Sequence, residues 1–200
     1  TDLEKKISLS KLVKIILNKL PQLNRLRLSS LDIAEIDDEL INLYGSEKRL
    51  LPHIHLSLQA GDNMILKRMK RRHSREDAIN AIERIRAVRP DIVFGADLIA
   101  GFPTETEEMF LNSVRLIDEC NITFLHVFPF SPRDGTPAAR MPQLDREIIK
   151  KRAKILRNIG ERKITEHYDK LNNKEINLIV ESHNQGLSLI HISEPTRLRS

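Results

Sequence analysis

Cysteine and aromatic residues are scarce in this sequence. Only one of its 200 residues is a cysteine, Cys120, which excludes an internal disulfide framework and favours a reducing, cytoplasmic compartment. The single thiol also excludes a multi-cysteine metal site built from this chain alone, so no metal ligand is assigned here. Aromatic residues make up 4% and tryptophan is absent, which argues against a surface of stacking platforms for single-stranded nucleic acid.

Long apolar runs are missing as well. No stretch approaches the roughly 18 apolar residues that a membrane span requires, and no secretory signal opens the chain, so we expect no membrane association. Hydrophobic residues at 40% and charged residues at 30% are typical of a globular protein. The net charge of +5 and the pI near 9.4 permit a polyanionic partner without requiring one.

Apolar spacing and turn residues predict alternating helices and strands along most of the chain. Strands are predicted at residues 25–29, 53–58, 92–99 and 122–128. Helices are predicted at residues 8–19, 37–44, 62–71, 74–89, 104–119 and 144–171. Strand–helix–strand order with crossovers of about ten or more residues indicates a parallel sheet, open or closed. The predicted fold class is α/β.

Three helix boundaries depend on individual residues. Gly45 is predicted to stop the second helix. Ser74 with Asp77 forms a near-capping box, and Thr104 with Glu107 matches a capping box. A helix is therefore predicted to begin directly after the Gly-Phe-Pro turn that precedes Thr104.

Polar side chains share one face of the predicted sheet. Because successive residues alternate across a strand, the inward face carries His53 and His55 together with a polar set made up of Arg27, Ser57, Gln59, Asp97 and His126. Each buried polar group without a partner costs about 1–3 kcal/mol. The set therefore predicts a ligand cavity near the C-terminal strand ends, where parallel α/β folds bind ligands. Alternatively, each group is an interior polar residue satisfied by a neighbour, which is the commoner case for a lone histidine.

Two turns and one arginine pair extend the predicted cavity. Residues 59–62 and 101–104 bring glycine-containing backbone to helix N-termini, which suit a carboxylate or phosphate. Arg71 and Arg72 end a basic stretch that is either a solvated helix face or a clamp for a carboxylate.

The two ends of the chain differ from its middle. The sequence begins without methionine and enters a helix directly, so we expect further strands upstream. Residues 174–182 resemble the first strand of a small β module. From about Leu187 the sequence resembles a translated sequencing adaptor, with a natural frayed tail as the alternative. The predicted units are residues 1–171, 172–186 and 187–200.

Four segments, in order, resemble the radical S-adenosylmethionine (SAM) methylthiotransferases. They are RLRLSSLD at 25–32, HIHLSLQAG at 53–61 with MKRRH at 69–73, DLIAGFPTETE at 97–107, and HVFPFSPRDGTPA at 126–138. The first and last are most similar to the branch that acts on N6-threonylcarbamoyladenosine at position 37 of tRNA. Thr104 stands where that family usually has glycine, a departure that should matter little if position 104 caps a helix.

The resemblance implies a partial (β/α) barrel of which this chain holds about the last four strands. It places the first two strands, a Cys-x3-Cys-x2-Cys loop for one [4Fe–4S] cluster and three cysteines for a second cluster before Thr1. Residues from 172 onward would open a TRAM-like tRNA-binding module. The implied reaction uses a reducing electron donor: the first cluster cleaves SAM to a radical that takes hydrogen from C2 of the adenine. Sulfur from the second cluster and a methyl group from another SAM follow.

The resemblance also implies site residues. Those expected to contact SAM are Ser57, Gln59, Arg71 and Asp97, with Gly101, Phe102 and Pro103 on the adenine side. Arg133 and Thr136 are expected to face tRNA or SAM. Lys150, Lys154 and Arg157 form an i, i+4, i+7 stripe that is either a tRNA-binding surface or a solvated helix face. On the same helix Ile148, Ile155 and Ile159 are predicted to face the body of the protein.

Two alternatives stay open for the function. One is another methylthiotransferase branch, acting on isopentenyladenosine in tRNA or on an aspartate of a ribosomal protein. The other is a non-catalytic α/β fragment that binds a ligand or RNA. This chain by itself is expected to be inactive, because it lacks the cluster cysteines.

Overall fold

Four parallel strands form the central sheet. In this computed structural model they are β1 (Leu26–Leu31), β2 (Leu50–Gln59), β3 (Val93–Ala100) and β4 (Phe124–Pro129), in that spatial order. Neighbouring strands are parallel, with Ile54 beside Phe94 and Asp97 beside His126. The α/β class is therefore confirmed. The structure describes residues 7–172, 174, 178–182, 185–188 and 196–197.

Helices alternate with the strands along the described chain. They are α1 (Leu9–Lys19), α2 (Asp38–Ser46), α3 (Asn63–Arg68), α4 (Arg75–Val88), α5 (Glu107–Glu119) and α6 (Arg146–Leu171). Each begins after a residue whose side-chain oxygen accepts a backbone N–H of the first turn, which satisfies an otherwise unpaired donor. The capping box of Ser74 and Asp77 is confirmed, because the side chain of each residue accepts the backbone N–H of the other. Among the described residues, no helix is both long and apolar enough to cross a membrane.

The apolar core lies between one face of the sheet and the helices. The sheet contributes fully buried residues from alternate positions of β2 and β3, namely Ile54, Leu56, Leu58, Phe94, Ala96 and Leu98. Tyr44 of α2, Ile82 of α4 and Leu156 of α6 belong to the same cluster. Alternation along the strands leaves the opposite face of the sheet for the polar side chains.

The second helix continues through Gly45 to Ser46, so the predicted stop at Gly45 is wrong. A Cβ added at Gly45 would lie 3.1 Å from the Cβ of Val88. The absence of a side chain at Gly45 therefore allows α2 to pack closely against the end of α4.

The helix start predicted at Thr104 is also wrong. Thr106 is the N-cap of α5, and its hydroxyl accepts the Met109 N–H at 3.3 Å. Glu107, expected at the third helical position, is the first helical residue. Thr104 lies in the preceding turn with φ +67°, so it does not cap a helix.

Two basic segments differ from their predicted form. The helix expected at 62–71 is α3, which ends at Arg68, because Lys70 at φ +56° turns the chain. On α6, Ile148 is predicted to face the body of the protein but is 43% exposed. The adjacent Ile149 is buried instead, together with Arg152 and Leu156.

A second, antiparallel sheet contains β5 (Leu178–Ser182), β6 (Gln185–Ser188) and β7 (Thr196–Arg197). β5 lies within the segment predicted as the first strand of a β module. The end of β6 and all of β7 fall inside residues 187–200, the predicted non-native tail. The division at residues 171 and 186 stays a prediction.

Candidate functional site

Three side chains from adjacent strands meet on the polar face of the sheet. The His55 Nε2 atom of β2 lies 2.8 Å from Oδ1 of Asp97 on β3, and Nδ1 of His126 on β4 lies 3.4 Å from the same oxygen. The two imidazole rings are 4.4 Å apart between centroids. We call His55, Asp97 and His126 the lumen trio. His55 is almost fully buried and His126 is about half exposed, so the trio opens towards the edge at β4.

Gly95 makes the position of His55 possible. A Cβ at Gly95 would lie 2.4 Å from the His55 Nδ1 atom, so any side chain there would displace the ring. Next to it on the same face, His53 is fully buried. Burial, followed by the nearby Arg27 guanidinium, lowers the pKa of His53 to about 3. His53 is therefore a neutral ring inside the sheet at physiological pH.

Two adjoining cavities lie at the C-terminal ends of the strands. The larger, of about 460 Å³, is lined by Gln59, Ile99, Phe128, Pro129, Phe130, Ser131, Arg133, Thr136 and Ala138. The smaller, of about 370 Å³, is lined by Gln59, Arg68, Met69, Lys70, Arg71, Ile99, Phe102, Thr136, Pro137 and Ala138. Four lining residues are shared, Gln59 and Ile99 among them, so a ligand could occupy both. Apolar walls with a few amide and cationic groups are typical of small-molecule sites.

Gln59 ends β2 in an unusual conformation. Its φ is +67°, in the left-handed region that costs a residue with a side chain of order 1–3 kcal/mol. The pairing between β2 and β3 shifts register just before it, between Leu56 and Gln59, as at a β-bulge. Gln59 lines both cavities at this bend in the backbone.

A buried ion pair between Glu105 and Arg152 stabilises the turn after β3. The Glu105 carboxylate accepts the Gly101 N–H at 3.0 Å and pairs with Arg152 of α6 at 2.8 Å. Arg152 also donates to the Glu105 carbonyl and to Glu107. Burial raises the pKa of Glu105, and Arg152 opposes that rise. Helix α6 is thereby tied to the turn that carries Phe102.

Arg71 forms part of a second polar network beside the smaller cavity. One Nη atom of Arg71 donates both to Asp32 at 3.0 Å and to the Ser57 carbonyl at 2.9 Å. Burial alone would raise the pKa of Asp32, but the Ala34 N–H and the Arg71 and Arg72 guanidinium groups hold it below its usual value. Asp32 is thus a carboxylate that fixes Arg71 at the cavity wall.

The structure brings most of the predicted SAM-site residues to one end of the sheet. Gln59, Arg71, Phe102, Arg133 and Thr136 line the cavities. Ser57 and Asp97 lie further inside on the same strand faces, while Gly101 and Pro103 are buried backbone of the turn.

Thr136 has a structural task as well. Its hydroxyl donates to the Arg133 carbonyl at 2.7 Å and accepts the Ala139 N–H at 3.3 Å. It therefore caps the 3-10 segment Pro137–Arg140 while lining both cavities.

The predicted basic stripe lies elsewhere. Lys150, Lys154 and Arg157 are exposed on α6, and none of them lines either cavity. The arginine between them in the sequence, Arg152, is buried in the ion pair with Glu105.

Sequence reasoning missed the apolar wall and the histidine contact. Ile99, Phe128 and Ala138 line the larger cavity but carry no polar group that would single them out. Strand alternation placed His55 on the polar face, yet its contact with Asp97 depends on the register between β2 and β3. The pattern of a single strand does not predict its register with a neighbouring strand.

Comparison with known proteins identifies relatives over nearly the whole chain. Residues 6–117 match the radical SAM superfamily. A threonylcarbamoyladenosine tRNA methylthiotransferase from Rickettsia prowazekii is 50% identical over 184 residues, which cover 92% of this chain and 44% of that protein. The enzyme of the same name from Aquifex aeolicus is 39% identical, covering 85% of this chain and 42% of its own length. The chain thus spans less than half of these relatives.

Two further similarities bear on branch and fold. A tRNA-2-methylthio-N6-dimethylallyladenosine synthase from a Ruegeria species is 39% identical over 82% of this chain and 38% of its own length. Coproporphyrinogen III oxidase from Escherichia coli, a radical SAM enzyme, superposes with a TM-score of 0.61 at 16% identity over 77% of this chain and 37% of that chain. The second likeness shows that the four-stranded sheet has the fold of part of a radical SAM barrel.

Proposed function

The chain belongs to the radical SAM superfamily, and from this premise we propose that it is the SAM-binding part of a longer tRNA methylthiotransferase. The substrate we propose is N6-threonylcarbamoyladenosine at position 37, modified at C2. The observation that carries the proposal is 50% identity to the Rickettsia enzyme over 92% of the chain. The same premise supports a cytoplasmic location, where tRNA and a reducing electron donor are present.

The described residues fit SAM. The two cavities share the Gln59 amide and the Ile99 side chain and are flanked by Arg71 and Arg133. A ligand with an apolar adenine face, a ribose and an amino-acid carboxylate matches such a lining. We propose that Gln59, Ser57 and Asp97 contact its polar atoms, with Arg71 near the carboxylate. Gly101, Phe102 and Pro103 would shape the adenine side, because Phe102 packs edge-on against Phe130 at 5.3 Å.

The residues of this chain do not fit a [4Fe–4S] cluster. Such a cluster uses three or more thiolates, whereas the one thiol, Cys120, is buried at the end of α5, where burial raises its pKa to about 11. In the proposed enzyme the cluster would supply the electron for SAM cleavage, and its ligands would come from outside these residues. The part played by this chain is to hold SAM and keep water away from it.

The tRNA partner is proposed from the relatives and from charge. The net charge is +5, and the exposed stripe of Lys150, Lys154 and Arg157 lies on α6, the helix that leads towards the second sheet. A backbone-binding role for this stripe, and a role for Arg133 and Thr136 facing the nucleoside, are parts of the proposal. Residues 172–186 would begin the tRNA-binding module.

The experiment that tests the proposal is an anaerobic assay of the full-length protein containing this chain. The protein, with reconstituted clusters, SAM and a low-potential reductant, is incubated with tRNA carrying N6-threonylcarbamoyladenosine. A matched reaction uses tRNA carrying isopentenyladenosine. Mass spectrometry of the digested nucleosides then detects a gained methylthio group. We expect the gain on the first tRNA alone, and no product when the 200-residue chain replaces the full-length protein.

Two other outcomes lead to different conclusions. Product only on the second tRNA would assign the protein to the branch that the Ruegeria relative represents. No product on either tRNA, with intact clusters, would favour a non-catalytic binding role.

A further inference from the structure

We infer that the lumen trio, His55, Asp97 and His126, binds a divalent transition-metal ion of the class of Zn²⁺. The inference concerns residues of this chain, shares only Asp97 with the proposed SAM site, and holds whichever nucleoside the full-length protein modifies.

The donor atoms of the trio are already close to a coordination geometry. The His55 Nε2 and His126 Nδ1 atoms lie 2.8 and 3.4 Å from Oδ1 of Asp97, and all three ligand atoms fall within 4.8 Å of one another. Ligands about 2.0–2.2 Å from a tetrahedral Zn²⁺ are roughly 3.4 Å apart. The spacing of the three donor atoms is therefore close to that around a bound ion.

The backbone holds the three residues in place. His55, Asp97 and His126 lie on β2, β3 and β4, and Asp97 and His126 are direct partners across the ladder. Sites built on strands are more precise than sites on loops. Gly95 has no side chain and leaves room for the His55 ring. The sheet therefore also fixes where this ring lies.

The donor set selects a class of metal. Two imidazoles and one carboxylate suit Zn²⁺, Fe²⁺, Co²⁺ and Ni²⁺, whereas Mg²⁺ and Ca²⁺ prefer oxygen ligands alone. Three protein ligands leave at least one position for water or a ligand atom, as in open zinc sites. His126 is about half exposed, which gives the ion a route into the site. The other oxygen of Asp97, Oδ2, takes no part in these contacts.

One feature of the trio limits the expected affinity. Nδ1 of His55 is buried without a hydrogen-bond partner, and coordination through Nε2 would place a proton on Nδ1. Metal-bound histidines usually donate that proton to an acceptor, and the loss of such support costs about 10–100-fold in affinity. We therefore expect a dissociation constant on the order of micromolar rather than nanomolar.

A hydrogen-bonded trio without metal is the competing explanation. Both imidazoles can donate to Oδ1 of Asp97 in their neutral forms, which would satisfy the carboxylate. This alternative predicts that added metal has no effect on the trio.

Titration of the 200-residue chain with Co²⁺ at neutral pH distinguishes the two. We expect one saturating equivalent, with visible d–d bands and without thiolate charge transfer, since the chain's single thiol is buried. His55→Ala, Asp97→Asn and His126→Ala should each weaken binding at least about tenfold, because losing a ligand costs more than losing an outer partner. His167→Ala, on α6 outside the trio, should bind as the wild type does. Circular dichroism confirms that each variant is folded.

Equal Co²⁺ affinity in wild type, Asp97→Asn and His126→Ala would overturn the inference, as would the absence of saturable binding to the folded wild type. A crystal of the full-length protein soaked in Zn²⁺ gives an independent test. Anomalous density within bonding distance of the three donors supports the site. Zinc bound elsewhere at full occupancy, with none between His55 and His126, contradicts it.

Discussion

Thr104 adopts a backbone conformation that a β-branched residue rarely tolerates. Its φ is +67°, where a side chain costs roughly 1–2 kcal/mol relative to the right-handed form. The turn is kept in shape by the Arg68 guanidinium, which donates to the Thr104 carbonyl at 3.4 Å, and by the Glu105 carboxylate bonded to Gly101. The condition under which threonine was expected to matter little, that position 104 caps a helix, is therefore not met.

Replacing Thr104 with glycine should stabilise the fold. Glycine adopts this φ without steric strain, although its greater freedom in the unfolded chain offsets part of the gain. We expect the free energy of unfolding of Thr104→Gly to rise by about 0.5–1 kcal/mol, measured by urea denaturation followed by circular dichroism.

Thr106 provides a matched control for this change. It caps α5, and replacing a threonine cap with glycine costs a few tenths of a kcal/mol. The two variants should thus shift stability in opposite directions. A loss of stability in Thr104→Gly similar to that in Thr106→Gly would show that the left-handed turn is not strained.

Some features of individual site residues could be predicted from the sequence and others could not. Alternation along the strands placed Gln59 and Asp97 on the polar face, because the period of a strand is a local property. The left-handed φ of Gln59 and the close approach of Gly95 to His55 depend on neighbouring strands. Such contacts are properties of register, so a single sequence could not predict them.

At the scale of elements, α6 combines two kinds of basic residue that look alike in sequence. Arg152 is buried and bonds Glu105 and Glu107. Lys150, Lys154 and Arg157 are exposed on the outer face. The stripe was predicted by helical spacing, whereas the side of α6 that is buried shifted by one position, from Ile148 to Ile149. A long helix rich in charge has a weak apolar pattern, so its inward face is poorly determined from sequence.

The exposed stripe of α6 should contribute to tRNA affinity by pairing its charges with backbone phosphates. Each phosphate interaction that a substitution removes should flatten the dependence of log affinity on log salt by roughly one unit. For the full-length protein we expect the triple alanine variant of Lys150, Lys154 and Arg157 to bind tRNA more weakly at low salt and with a flatter slope. Filter binding across a salt series measures both quantities.

A triple alanine variant of Lys11, Lys14 and Lys19 on α1 removes the same charge from another exposed helix face. It should leave the slope nearly unchanged. Equal slopes for both variants and the wild type would mean that the α6 stripe is only a solvated face.

In the molecule as a whole, the two faces of the sheet have different roles. One face packs Ile54, Leu56 and Phe94 against the helices and provides the core. The other carries the lumen trio and opens, at the strand ends, into cavities of about 460 and 370 Å³. The fold class and the gathering of polar residues near the strand ends followed from patterns within single segments. The strand pairing of the second sheet and the path of the turns required the three-dimensional structure.

Calorimetric titration of SAM into the full-length protein is the most direct test of whether SAM binds where Gln59 lines both cavities. Gln59→Ala removes the amide that we propose to contact the ligand, and the loss of a hydrogen bond of about 1.4 kcal/mol corresponds to tenfold weaker binding. We expect roughly tenfold weaker SAM binding with an unchanged melting temperature, and wild-type affinity in Lys151→Ala on the exposed side of α6. Unchanged SAM affinity in Gln59→Ala, with a lowered melting temperature, would contradict the account and make Gln59 a structural residue.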